Sequence, residues 1–286
     1  MPGPAVIKRA TAPGGSPGDS AAPSDTTELS GARSNVPPAA PLAPRLAQSR
    51  AAADAGDAGA ACRLAFDLDR CRLVPEHEHL AVRLGADLDA NSKAPLPDAE
   101  RIDALRSNLD SVIAQLAADR AFCAGVGTDS ANSAWRYLLR AAQAGDVPSM
   151  TRFAVLPPLD EQDTGTDPEG WRAYRENAVP FLETAAQRGD VDALSILAAC
   201  VSGSCTLPGG VTLPRDPARA ATLTLLLLKT GDAPSASGRL KNLMTEIGPG
   251  AMDRARAEAE GIYRERAGTL GKFHGVSGGR ASSCSG

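Results

Sequence analysis

The cysteines are the residues of this chain whose type and spacing could do covalent chemistry: Cys62, Cys71, Cys123, Cys200, Cys205 and Cys284. Cys71 closes a helix that begins near Cys62, and Cys123 stands just before Gly125 and Val126, so a Cys71–Cys123 bond would staple the two ends of the segment between them. Cys200 and Cys205 flank the helix-ending string Val-Ser-Gly-Ser, a loop able to bring them within bonding reach. At each of these positions a buried thiol is the competing reading. Cys62 and Cys71 cannot bond to each other, because nine helical residues put them roughly 13 Å and about half a turn apart. Cys62 is then expected as a core thiol and Cys284 as a free thiol near the C-terminus. Two disulfides imply an oxidising compartment such as the bacterial periplasm. The absence of an apolar stretch after Lys8 and Arg9 favours the cytoplasm instead, or a true start further upstream.

Other chemistry finds weak footing. His77 and His79 sit beside Glu76 and Glu78, but i, i+2 spacing on a helix turns the two rings apart, so no metal site is expected. A single C-x4-C pair lacks the second pair that zinc requires. Gly14-Gly15-Ser16-Pro17-Gly18 matches the nucleophile-elbow pattern only in letters, since it lies in a Pro/Gly/Ser-rich stretch with no strand before it. Gly125-Val126-Gly127 has Ser130 where a dinucleotide fingerprint needs its third glycine. The loop Asp160 to Gly165 has glycine at the sixth position of a calcium loop, but Trp171 stands where a bidentate glutamate belongs. No catalytic residue, cofactor or metal is expected. Trp135 and Trp171, each near the start of a helix, read as packing residues.

The elements that position these residues follow from composition. Of 286 residues, 43% are hydrophobic and only 3% aromatic, so the apolar share is mostly Ala and Leu, which favour helices over an aromatic-paired sheet. A net charge of -4 without blocks of like charge gives no footprint for nucleic acid. The longest apolar run, near Ala220 to Leu228, is about half of the roughly 20 residues that a spanning helix needs, so no transmembrane segment is expected. Residues 1–41 are rich in Pro, Ala, Gly and Ser and read as a disordered tether, because they cannot bury enough surface to offset ordering. Residues 268–286 read as a second, Gly/Ser-rich disordered tail.

Between these ends a dipeptide recurs: Gly56-Asp57, Gly145-Asp146, Gly189-Asp190 and Gly231-Asp232. Four residues after each glycine stands a small residue: Ala60, Ser149, Ala193, Ser235. Eight after stand Leu64, Phe153, Leu197 and Arg239, the last copy departing from the pattern. Upstream, Ala134, Tyr137, Ala141 and Ala142 before the second anchor align with Ala178, Phe181, Ala185 and Ala186 before the third, and with Ala220, Leu223, Leu227 and Leu228 before the fourth. That is the spacing of one helix face. Each anchor joins two amphipathic helices: glycine supplies the helix-ending conformation, and aspartate caps the next helix. A helical hairpin leaves one face apolar and must stack on another, which predicts an all-α solenoid of about three to four hairpins.

The strings DSANSAWRYLLRAAQAGDVPSM, ENAVPFLETAAQRGDVDALSILAACVSG and VTLPRDPARAATLTLLLLKTGDAPSA resemble the Sel-one-like repeats, a branch of the tetratricopeptide-type helical repeats. Val126 and Asp129 before Ala134, and Val211 and Asp216 before Ala220, match that family's pattern. The helical-repeat domain is expected over residues 42–267. An insertion at about 74–120 interrupts it, in which Ala99 to Arg120 reads as one extra amphipathic helix. The resemblance implies a non-catalytic adaptor or scaffold; cysteine placement sets it in the cell envelope, and stacked hairpins leave a groove for a protein or peptide partner, which surface changes at Tyr137, Arg140 and Arg188 would probe. A self-associating structural protein, joined through the apolar edge Leu223 to Leu228, is the alternative. An envelope hydrolase is a third reading, and it lacks a nucleophile–base set.

Overall fold

The computed structural model describes residues 40–94, 98–160, 165, 167–230, 234–266, 270 and 284. The tether up to residue 39, the Gly14–Gly18 motif, Glu161 to Thr164, the fourth anchor Gly231-Asp232 and most of the 268–286 tail lie outside the described residues. Within them the chain is all-α: about 80% of residues are helical and no strand is present. The helices are α1 (Ala43–Asp54), α2 (Ala58–Arg72), α3 (Val74–Ser92), α4 (Ala99–Cys123), α5 (Thr128–Asn132), α6 (Ala134–Gln143), α7 (Val147–Val155), α8 (Pro168–Gln187), α9 (Val191–Val201), α10 (Pro217–Lys229) and α11 (Pro234–Arg266). The last is broken at Gly248, whose φ of 73° precedes Pro249.

Three of the turns share one construction. Gly56, Gly145 and Gly189 have φ of 93°, 98° and 91°, the left-handed region in which a Cβ is penalised. The Gly145 amide donates to the Ala142 carbonyl at 3.0 Å and the Asp146 amide reaches back to Ala141 at 3.0 Å. Gly189 and Asp190 repeat this toward Ala186 and Ala185, and Gly56 and Asp57 toward Ala53 and Ala52. This double bond pattern is a Schellman ending, and it satisfies carbonyls that the helix itself leaves open. The same aspartate then starts the next helix: Asp57, Asp146 and Asp190 accept from the amides of Ala60, Ser149 and Ala193 at 2.8, 3.0 and 2.7 Å. The residue that ends one helix therefore caps the following one.

The face between these turns is the core. Ala134, Ala141 and Ala142 of α6 and Ala178, Ala185 and Ala186 of α8 are buried, as are Ser149, Phe153 and Ala154 of α7 and Ala193, Leu197 and Ala198 of α9. Small side chains at these positions let neighbouring axes approach closely. The helices pack in succession, α1 on α2, α2 on α6, α6 on α7, α7 on α8, α8 on α9, α9 on α10 and α10 on α11. Four of the aromatic residues form one cluster in this stack. Phe153 packs edge-on to Phe181 with ring centres 5.6 Å apart, and Trp171 meets Tyr174 at 5.4 Å.

Several expectations change. The 74–120 insertion holds two helices, α3 and α4, packed on each other as an arm, where one was expected. Nor is the Ala99–Arg120 helix amphipathic in the expected sense: only Leu116, Asp119 and Phe122 of α4 are buried, because α3 alone covers its outer part. The Leu223–Leu228 run is not a free edge. Leu226 and Leu227 are buried, Leu223 and Leu225 are half-buried, and α11 lies along α10, so that Leu228 alone of these leucines is exposed.

Candidate interaction groove

Cysteine geometry fixes the surroundings of the candidate site. Cys71 at the end of α2 and Cys123 at the end of α4 pair with Cα atoms 5.4 Å apart, and Cys200 and Cys205 pair at 4.4 Å. Cys62 and Cys284, expected as a core thiol and a free one, form a third pair with Cα atoms 5.8 Å apart. Cys62 is fully buried on the core face of α2, so its only route to oxidation is a cysteine delivered from elsewhere in the chain. Three pairs at disulfide distance point to an oxidising compartment.

Next to the Cys71–Cys123 pair, two carboxylates are buried among apolar side chains. Asp119 of α4 is 1% exposed and accepts from Arg70 Nε at 2.5 Å and Gln115 Nε2 at 2.8 Å, while His77 Nδ1 lies 3.3 Å away. The Arg70 guanidinium also covers the Phe122 ring, 4.4 Å from its centre. Outside this core, Arg120 of α4 grips Glu78 of α3. The root of the α3–α4 arm is thus held to α2 by a covalent bond and a satisfied charge cluster.

The second carboxylate is Asp69 of α2, 6% exposed. One of its oxygens accepts from Arg72 Nε at 2.9 Å, and the other from Arg152 Nη2 of α7 at 3.2 Å. A buried carboxylate is tolerated only when such partners compensate its lost hydration, and here one acid orients two guanidiniums from different elements. Both arginines stand at the wall of a groove of about 1060 Å³, bounded by α3 on one side and by the end of α7 with residues 156–160 on the other. Leu73, Pro75, Val82, Leu156, Pro157 and Leu159 supply its apolar surface. His79 and Arg83 of α3 also face it, so His77 and His79 point to different surroundings, as their spacing demands.

Tyr137, Arg140 and Arg188, expected in a groove, do not line this one, although Arg140 and Arg188 are exposed. Tyr137 is buried, Arg140 pairs with Asp54 of α1, and Arg188 Nη1 donates to the Gly145 carbonyl at 2.9 Å. The two arginines bind groups beside the Gly56 and Gly145 turns. Trp135 and Trp171 are buried packing residues, their indole N–H groups donating to Asp167 and to the Asp160 carbonyl. Among the described residues no group of His, Cys, Asp or Glu is arranged to hold a metal ion, and no helix is long and apolar enough to cross a membrane.

Two carboxylates are pushed above the usual range by burial. For Asp67, Arg45, Arg70 and Arg63 oppose the shift. For Asp190 the Ala193 amide opposes it, Asp192 adds to it, and the Thr151 hydroxyl of the preceding hairpin and the Asp192 amide oppose it. The groove itself was not foreseen from the sequence. The signal available was an acid placed in an apolar stripe: Asp69 follows Cys62 and Ala65 at i+7 and i+4, and Asp119 lies midway between Leu116 and Phe122.

Comparison of the chain with protein-family models, with curated proteins and with solved structures finds no match in any of the three.

Proposed function

We propose that this chain is a non-catalytic adaptor or scaffold of an oxidising compartment, the bacterial cell envelope being the best candidate. In this reading its helical hairpins form an α-solenoid of Sel-one-like type that presents a surface to a protein partner. The observation that carries it is the recurrence of one turn, a left-handed glycine followed by an aspartate that ends one helix and caps the next, at Gly56, Gly145 and Gly189. Stacked units that contact mainly their neighbours gain an extended surface in proportion to their number, and that surface is what such arrays use for binding. Self-association is the weaker alternative, since α11 covers the leucine run that would have supplied its edge.

The test is cross-linking of the oxidised, full-length chain in cells, followed by mass spectrometry, with sedimentation of the purified protein alongside. A monomer that cross-links reproducibly to one heterologous protein through residues of α3, α7 or α8 supports the adaptor. A stable oligomer whose cross-links are all to its own chain would replace it with the self-associating scaffold.

A further inference from the structure

Resting on the adaptor reading, we propose that the groove between α3 and the end of α7 docks a peptide segment of a partner protein in which acidic side chains stand beside aliphatic ones. Val82 is 73% exposed and Leu156 is 42% exposed, and both line this groove although they belong to elements far apart in sequence. An arrangement that brings two such side chains to one concavity, with Pro75 and Pro157 beside them, offers apolar area to an occupant.

The charges select which occupant. Four acids line the groove, and three of them are held by arginines: Asp69 by Arg72 and Arg152, Glu76 by Arg72, and Glu78 by Arg120. Asp160 has a partner as well. On the cationic side, Arg83 and His79 make no ion pair among the described residues, and they lie one turn apart on the same face of α3 as Val82. Across from them Arg152 donates to Asp69 through Nη2 and lies over the Phe66 ring, with its side chain 26% exposed. The accessible donors around the aliphatic patch are therefore guanidinium and imidazole, which complement carboxylates.

A random dodecapeptide phage library panned on the oxidised full-length protein tests this, with enriched sequences resynthesised and measured by fluorescence anisotropy. Enriched peptides are expected to combine Asp or Glu with Leu, Ile or Val. Their affinity should fall roughly ten-fold or more with Arg83→Glu and with Val82→Asp, and weaken with added salt. Both substitutions are on exposed positions, and an unchanged circular dichroism spectrum establishes that the fold is kept. Arg106→Glu, on the outer part of α4, should leave affinity unchanged. Enrichment of basic peptides, or affinity that survives both groove substitutions, overturns the groove assignment and leaves the adaptor reading standing. A library that yields no binder overturns the groove, and only together with an absence of heterologous cross-links does it overturn the adaptor.

Discussion

Replacing a glycine by alanine should have opposite effects at turn and helix-interior positions of this chain, and the sign follows from the backbone alone. At Gly56 the φ of 93° lies in the left-handed region, yet a Cβ built there meets nothing within 4 Å. The cost of Gly56→Ala is therefore purely conformational, about 1–2 kcal/mol for an L-residue in that region, reduced by a few tenths because alanine also restricts the unfolded chain. At Gly145 the same penalty applies, and the new Cβ would in addition stand 3.3 Å from Arg188 Nη1, which donates to the Gly145 carbonyl. Disturbing that bond adds about 0.5–1.5 kcal/mol, so Gly145→Ala should be the more damaging of the two. Gly85, inside α3, has an ordinary helical backbone and open space around its would-be Cβ, and Gly85→Ala should stabilise by about 0.5–1 kcal/mol. Urea unfolding followed by far-ultraviolet circular dichroism under oxidising conditions reads all three, compared at constant slope. A Gly56→Ala protein as stable as the wild type, or a Gly85→Ala protein less stable than it, would refute the argument from turn geometry.

Asp190 gives a pH test. Its carboxyl is raised by burial, so the native state holds its proton more tightly than the unfolded chain does, and this group's contribution to stability falls as pH rises from the ordinary aspartate range through the raised value. Asparagine caps a helix about as well as aspartate without titrating. Asp190→Asn should therefore gain stability relative to wild type on going from about pH 4 to about pH 7 in urea titrations, and a difference independent of pH would remove burial as the cause. The cysteine pairing predicts that denatured, unreduced protein shows no titratable thiol. Replacing Cys71 and Cys123 together by serine should lower stability by about 4 kcal/mol on the chain-entropy relation, given their separation of 52 residues. Any thiol detected before reduction contradicts the three pairs.

The turns were legible because they depend on residues adjacent in sequence: a glycine, an aspartate and small residues at helical spacing on either side. The α3–α4 arm was half legible. Its second helix shows in the sequence, whereas α3 begins directly after Leu73 with no capping side chain and opens on alternating Glu and His, so that its stripe, Leu80, Leu84 and Leu88, starts only two turns in. The groove depends on distance in space. Asp69 and Arg152 are 83 residues apart, and nothing local to either names the other. Cys284 was illegible for a similar reason, since a cysteine in a Gly/Ser-rich stretch carries no sign of which buried partner it meets.

The Cys62–Cys284 bond also decides how the molecule would carry a load. It closes a covalent ring around everything from the second turn of α2 through the last helix, with the Cys71–Cys123 and Cys200–Cys205 loops nested inside. Tension applied between the N-terminal segment and the last residues would pass through two sulfur atoms and bypass the helical stack. Of the helices, α1 lies wholly outside the ring, and it is the one that such a pull would peel away first. A single protease cut between residues 62 and 284 would likewise leave one particle until a reductant opened the Cys62–Cys284 bond.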